Sequence, residues 1–575
     1  MQDDPRAEEQ PLSEQAAGLR ASPWMHSCRH PSCVWAAAIE DCTVLIRTGA
    51  AVKTCSIELH RATSVEPQRA TGRRARAFRQ IMIAVFTPLV ARFAVICLLL
   101  ALAVPMHSRA ATSKADPGKT SDQPDDKADN KSDEGAVKSG KKKDPQPPTT
   151  SEASAEDKPD DRCDAGKQLV NFELRHRLCE AGLTLAVTET SEILGNLAGG
   201  LRQGARYEGV TDANLKIDLR PSFHVRGEIF ARAYQIHGRG LSADNIGNLH
   251  LASSIEASRT TRLNELWYEQ HFDNWRLRIG QLTIGTEFHN PDSARLFINS
   301  TFGWPTQPAL DLPSGGPGYP LATPAVRVRV DPQEGVTLFL ALFNGDPTGA
   351  GVGGSQLRDA SGTAFRTSDG AWLIGEIRYN PDDSDKNGAY RFGGWWNSER
   401  FRDLRFDQNG VSLASPASNG KPFLHDGDPS FYVNVDQPLV VNDADHTRLS
   451  VFARAGFAPG DRNLVDFYAD GGMTYKGPFG RADDQAGIAV GYAKIGSAAR
   501  GFDADIARLT GQFHPIRSGE AVLELTYRFQ LTNWWQVQPD FQYVFNIGGG
   551  IVNPNAPGKR VADAPVLGLR TTITF

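Results

Sequence analysis

Leu567-Gly568-Leu569-Arg570-Thr571-Thr572-Ile573-Thr574-Phe575 alternates without a break. Leu567, Leu569, Thr571, Ile573 and Phe575 fall on one side of an extended chain; Gly568, Arg570, Thr572 and Thr574 fall on the other. Successive strand side chains point to opposite faces, so the segment predicts a β-strand with one greasy face and one wet face. The same split recurs upstream. Trp535, Val537, Phe541, Tyr543 and Phe545 alternate with Gln536, Gln538, Asp540, Gln542 and Asn546. Val326-Arg327-Val328-Arg329-Val330 and Trp275-Arg276-Leu277-Arg278-Ile279 repeat it, as do Leu215-Lys216-Ile217-Asp218-Leu219 and Arg448-Leu449-Ser450-Val451. From about Leu183 to Phe575 the chain reads as strand after strand.

A soluble sandwich gives the same alternation, with the apolar face buried between two sheets. Three features favour a closed transmembrane barrel. The strands approach the roughly ten residues that a tilted spanning strand needs. Aromatic residues gather where strands end, at Trp395-Trp396, Trp534-Trp535, Tyr379, Tyr475 and Tyr543, as interfacial girdles require. The alternating segment that ends on Phe575 resembles the terminal signature by which the barrel assembly machinery receives outer-membrane barrels. A closed barrel also satisfies every backbone group in lipid. About 400 residues at roughly 25 per strand and connection predict an all-β fold, a transmembrane antiparallel barrel of about sixteen strands. A barrel of that size holds a water-filled lumen. Its outer face meets outer-membrane lipid, and its inward charges line the pore.

Composition agrees with this reading. The 575 residues are 40% hydrophobic, with 55 glycines and 28 phenylalanines against 5 methionines. No series of apolar runs supports a polytopic helical protein. Lys plus Arg total 62 against 67 acidic residues, a net charge of -5, which gives no ground for a nucleic-acid partner.

The average conceals a mosaic. Residues 1–81 are irregular and hold Cys28, Cys33, Cys42 and Cys55, whose spacing matches no common zinc pattern. Arg73, Arg74, Arg76 and Arg79 then precede two apolar stretches, Ile81 to Val90 and Phe93 to Val104, and Ser108-Arg109-Ala110-Ala111 supplies small residues at cleavage spacing. Residues 82–111 read as a signal peptide that begins at Met82, with a single membrane anchor as the competing role. Residues 1–81 are then expected to be absent from the mature protein. Residues 112–162, rich in Lys, Asp and Pro, carry almost nothing apolar and read as a disordered linker. The barrel unit, with a short periplasmic segment before it, covers 163–575. Cys163 and Cys179 are the cysteines left after export; in an oxidising compartment they are candidates for a disulfide.

Further segments carry a family resemblance. They are Arg177-Leu-Cys-Glu-Ala-Gly182, Gly195-Asn-Leu-Ala-Gly-Gly200, Gly204-Ala-Arg-Tyr-Glu-Gly209, Asn264-Glu-Leu-Trp-Tyr-Glu269 and Arg278-Ile-Gly-Gln-Leu282. The most specific is Asn299-Ser-Thr-Phe-Gly-Trp-Pro305, followed by Tyr319-Pro-Leu-Ala-Thr-Pro324, Glu524-Leu-Thr-Tyr527 and Gln538-Pro-Asp-Phe-Gln-Tyr-Val544. In this order, from about residue 165 to 575, they resemble the carbohydrate-selective porin (OprB) family of Gram-negative outer membranes. Ile547 stands where that family often has proline. The resemblance implies passive, carbohydrate-selective diffusion of mono- or oligosaccharides into the periplasm. A general diffusion porin is the alternative, followed by an outer-membrane hydrolase or a structural anchor.

Sugars present CH faces to aromatic rings and hydroxyls to guanidinium forks. Candidate pore-lining contacts are therefore Arg276, Arg278, Arg327 and Arg329 on the predicted lumen face, with Glu265, Trp267 and Glu269 as candidates to share it. The Pro- and Gly-rich loop with Phe302, Trp304 and Tyr319 is a candidate to fold inward as a constriction. General solvation of the lumen competes with sugar contact for each arginine, and loop packing competes for Trp304 and Tyr319. No nucleophile elbow, zinc motif or phosphate loop is present, so no enzyme, cofactor or metal is predicted. Asp382-Asp383 and Asp483-Asp484 read as solvated or calcium-touching turns.

Overall fold

A computed structural model describes residues 169–170, 173–381 and 387–575. The proposed signal, the linker, Cys163 and Asp382-Asp383 lie outside the described residues. The alternating segments form β1 (Leu183–Asn196), β2 (Gly204–Asp218), β3 (Gly227–Gly238), β4 (Thr260–His271), β5 (Trp275–Leu282) and β6 (Thr323–Gln333). They continue as β7 (Val336–Asn344), β8 (Ala371–Tyr379), β9 (Ala389–Asp407), β10 (Pro422–Asn442), β11 (Thr447–Phe457) and β12 (Val465–Lys476). The last are β13 (Gln485–Ile495), β14 (Gly519–Thr532), β15 (Trp535–Phe545), a small hairpin of β16 (Val552–Asn553) and β17 (Ala556–Arg560), and β18 (Ala564–Thr574). Each barrel strand pairs with its neighbours in sequence. β18 pairs with both β15 and β1, so sixteen strands close into a barrel with the small hairpin outside it. Thr190 faces Thr572 and Glu192 faces Arg570 across the seam.

Burial shows which way the alternation points. The largest side chains on the outer faces are exposed and apolar, among them Leu185, Ile279, Phe392, Val433, Ile488, Leu525 and Leu569. Many inward positions are buried and polar, including Glu192, Arg327, Glu376, Asp470, Glu524 and Gln542. A soluble sandwich has the opposite arrangement. Among the described residues no helix is long and apolar enough to cross a membrane; the crossing elements are strands.

Aromatic pairs ring the short-turn end. Phe272 stacks on Trp275, Tyr379 on Tyr390, and Trp534 on Trp535. Phe457–Phe467 and Tyr543–Phe545 mark the long-loop end. Trp395-Trp396 departs from the expected strand-end position. β9 and β10 run for 19 and 21 residues and carry the pair well inside β9. Trp396 faces out, whereas Trp395 faces in and packs against Trp372 and Tyr432. Asp484 also departs from the solvated turn expected of it. It is buried, and it accepts from Arg481, Tyr527 Oη and the Gln530 amide. Before β1, the Arg175 guanidinium donates to the Phe575 and Leu185 carbonyls, and Cys179 is disulfide-bonded.

The two faces respond differently to charge. Leu525→Arg, on the outer face of β14, should destabilise the barrel by roughly 2–4 kcal/mol. Thr190→Arg, on the inner face of β1, should cost less than half of that. Urea unfolding in lipid vesicles reads both; equal costs would contradict the assignment of faces.

Candidate functional site

Two connections at the long-loop end turn inward across the lumen. One is the β3–β4 loop, residues 239–259; the other is the β5–β6 loop, residues 283–322. A buried loop needs partners for its backbone groups, and here the strand wall provides them. Glu524 of β14 accepts the Ile298 and Asn299 amides at 2.6 and 2.9 Å. Glu520, four residues earlier on the same face of β14, accepts those of Leu249 and His250, each at 2.8 Å. Glu376 of β8 accepts the His289 amide at 2.8 Å, and Asp436 of β10 accepts the Ser293 amide at 2.8 Å.

Arg454 of β11 serves the carbonyls. It donates to His289 O and Gly303 O at 3.0 Å and to Thr301 O at 2.7 Å, while its guanidinium pairs with Asp470 of β12. Both partners are fully buried. Tyr468 Oη donates to Asp470 at 2.6 Å and touches Thr301, which completes a clasp over the middle of the loop.

This explains the motif Asn299–Pro305 locally. The Asn299 side chain accepts from the Thr301 amide and donates to Gln542 of β15. Phe302 is buried against Phe297 and Phe452. Trp304 is half-buried, and its indole N–H donates to Gly315 O at 3.1 Å. Pro305 leads into the short helix Thr306–Asp311. Tyr319, also half-buried, packs edge-on against Tyr234 of β3 and donates to Ile255 O, which ties one inserted loop to the other.

The remaining sequence candidates separate by burial. Arg278 and Arg327 lie directly opposite on β5 and β6. Two carboxylates screen them: Glu269, 2.8 Å from Arg278 and 2.7 Å from Arg327, and Glu287 of the inserted loop, 3.0 Å from Arg327 Nε. Gly280 adopts φ 149°, and a Cβ there would come within 2.8 Å of the Trp267 side chain. Its absence leaves room for Trp267, over whose ring the Arg278 guanidinium sits at 3.7 Å. Glu265 lies 3.6 Å from Arg232, which also pairs with Asp212 at 2.6 Å. Arg278, Arg327, Glu265, Trp267 and Glu269 all point into the barrel and are buried under the loops. Arg276 and Arg329 keep partial exposure, and Arg329 pairs with Asp331.

Three loop groups show the electrostatics of the insertion. Burial pushes the Glu287 carboxyl up, but the Arg327 and Arg278 charges outweigh it and hold it below the usual range. Burial takes the His250 imidazole down to about 4, with the Glu520 backbone contact acting the other way. Burial and then the Arg454 charge push His289 well below its ordinary value. Sequence reasoning missed the β3–β4 loop, His250, His289 and Arg454's role, because each acts through partners far away in the chain.

A closed sixteen-strand barrel with a polar lumen narrowed by inserted loops is an outer-membrane porin. Comparison with known proteins agrees. The family described as "Carbohydrate-selective porin, OprB family" matches residues 202–575, and the chain belongs to it. It is 25% identical over 404 residues to Porin B of Pseudomonas aeruginosa, covering 65% of this chain and 85% of that protein. It is 22% identical over 429 residues to a putative porin, QuiX, of Acinetobacter baylyi, covering 70% and 91%. The high-pH structure of Pseudomonas putida OprB shares the fold, with a TM-score of 0.63 and 24% identity over 70% of this chain and 96% of that one. The protein is thus a Gram-negative outer-membrane channel and not an enzyme.

Two predictions follow from the inserted loops. Arg454→Ala leaves Asp470 buried and unpaired, which should cost about 3–5 kcal/mol. It should also raise single-channel conductance as the β5–β6 loop loosens, whereas Arg400→Ala, at an exposed pair, should change neither. The second concerns pH. A released loop exposes His250 at its ordinary 6.5, against about 4 when packed. The released state therefore binds more protons between those values, so insertion is firmest above pH 6.5 and weakens as pH falls toward 4. The difference is on the order of 3 kcal/mol for His250. Conductance noise should grow over that window, and His250→Gln should reduce the growth.

Proposed function

We propose that the channel carries small sugars passively across the outer membrane and selects them at the narrowed lumen. The observation that carries this reading is a set of partly exposed guanidinium groups, braced on buried rings, beside the half-buried Trp304 and Tyr319 of the inserted loop. Arg329 and Arg378 approach the Phe339 ring, at 5.6 and 4.0 Å, and Arg276 lies across from Arg329. Arg232 and Asp212 form a partly exposed donor–acceptor pair next to Tyr234, and Tyr319 packs on that ring. Forked donors hydrogen-bond vicinal hydroxyls, and rings accept CH faces. Arg276, Arg329, Trp304 and Tyr319 are the direct sugar contacts in this account. Arg278, Arg327, Glu265, Trp267 and Glu269 position the wall and loop behind them. Weak contacts in series suit conduction, because a tight site would hold its solute. Lipid surrounds the apolar band, and the strand ending at Phe575 is the handle for the barrel assembly machinery.

Liposomes that contain the protein should swell faster in glucose than in a non-sugar solute of equal size. Equal rates would leave a general diffusion porin. Arg276→Ala and Arg329→Ala should each weaken sugar block of ion current several-fold; unchanged block in both would remove them from the site.

A further inference from the structure

The outer wall of β1–β3 breaks the apolar band that surrounds it. Glu189 and Ser191 share the outward face of β1 with Leu185 and Ile193, both about half exposed. Register sets Glu189 and Ser191 opposite Thr211 and Gly209 of β2, and these opposite Gln235 and His237 of β3. A Cβ on Gly209 would collide with the His237 ring, so the glycine leaves a bowl in which the polar side chains meet.

Glu189 accepts from Ser191 Oγ at 2.8 Å and from Thr211 Oγ1 at 2.6 Å. Tyr207 Oη lies 3.1 Å from Ser191 Oγ and 3.0 Å from His237 Nε2. His237 Nδ1 reaches Gln235 Oε1 at 3.0 Å, and its Nε2 stands 3.4 Å from Glu189. Gln235 is exposed, and its Nε2 donors have no partner among the described residues. A carboxylate, an imidazole and an unused amide are costly on a wall that faces hydrocarbon. A partner that brings polar groups to the bowl removes that cost.

The rim beside the bowl is cationic. The Arg239 amide donates to the Tyr207 carbonyl at 2.8 Å, which sets the start of the β3–β4 loop next to the bowl. There Arg202, at 3.9 Å, Arg206, at 3.5 Å, and Arg239 converge on one carboxylate, Asp244. Arg202 and Arg239 are each 49% exposed, whereas Asp244 is largely covered. The neighbouring acids are engaged elsewhere. Glu256 accepts the Ser242 amide and hydroxyl, Glu208 is buried on the inner face of β2, and Asp563 accepts the Asn546 amide. The exposed charge of the rim is therefore positive. An apolar floor completes the face: Ile193 lies between Tyr207 and Leu569, and all three are about half exposed.

We propose that this face seats one phosphorylated glycolipid of the outer leaflet. The long-loop end, where the rim lies, is the end that faces outside the cell. The glycolipid of that leaflet carries phosphates on its sugars, and hydroxyl and amide groups at the head of its acyl chains. Arg202 and Arg239 take a phosphate through their guanidinium forks. Gln235 and Tyr207 take the hydroxyl and amide oxygens, and the chains lie along Ile193 and Leu569. A phospholipid supplies the phosphate but not the polar groups that the bowl receives. The inference stands apart from the sugar reading, because it concerns the other face of the strands.

The test is native mass spectrometry of the full chain in detergent with deep-rough lipopolysaccharide, its dephosphorylated form, or phosphatidylglycerol. One lipopolysaccharide molecule should be retained. Dephosphorylation should lower the bound fraction several-fold, as should the double variant Arg202→Gln, Arg239→Gln, in which Arg206 still pairs with Asp244. Gln235→Leu should weaken lipopolysaccharide several-fold and leave phosphatidylglycerol unchanged. Single-channel conductance should be unaltered in each variant, which shows that the barrel has folded. No retention by the unaltered protein, or equal retention by all variants, would overturn the site. Phosphatidylglycerol held as tightly as lipopolysaccharide would overturn the glycolipid and leave a rim for any anionic lipid. A two-chain species that Gln235→Leu dissolves would show that the bowl joins two copies of the chain, and would overturn the lipid as its occupant.

Discussion

A polypeptide segment placed inside a barrel must find partners for its backbone N–H and C=O groups, and the rest of this structure depends on how that is done. The inserted β5–β6 loop has little regular structure of its own, only short helical turns. Its amides go to carboxylates on the strand wall, and three of its carbonyls go to one guanidinium, that of Arg454. Each unmet buried group would cost about 1–3 kcal/mol, so the inward wall has to be charged where the loop lies against it. The apolar band outside and the ionic wall inside are two faces of the same strands.

The fold was legible in the sequence because its determinant is local. A period of two can be read in any ten residues, and the Leu567–Phe575 segment alone sets inside from outside. The number of strands follows from chain length. Trp395 could not be placed in this way. Its face can be read, but the height of the membrane along a 19-residue strand cannot.

The site was only partly legible. The β5–β6 loop stood out through its length and its Pro, Gly and aromatic content. Its fastening did not, since Ile298 and Glu524 are 226 residues apart and nothing in either segment names the other. Arg278 and Arg327 show the same limit: alternation puts them inside, but only the folded loop, through Glu287, makes them buried structural groups. Arg276 and Arg329, one inward step nearer the periplasm, escape that cover. Equal residues in equal patterns thus acquire different roles from what lies above them.

The central claim is that both loops are fastened within the lumen by wall charges. Amide hydrogen exchange on the protein in lipid at neutral pH tests it most directly. The amides of Leu249, His250, His289, Ile298 and Asn299 should exchange as slowly as those of the flanking strands β5 and β6. Exchange at the rate of freely solvated backbone at these five positions, with the strands still protected, would contradict it.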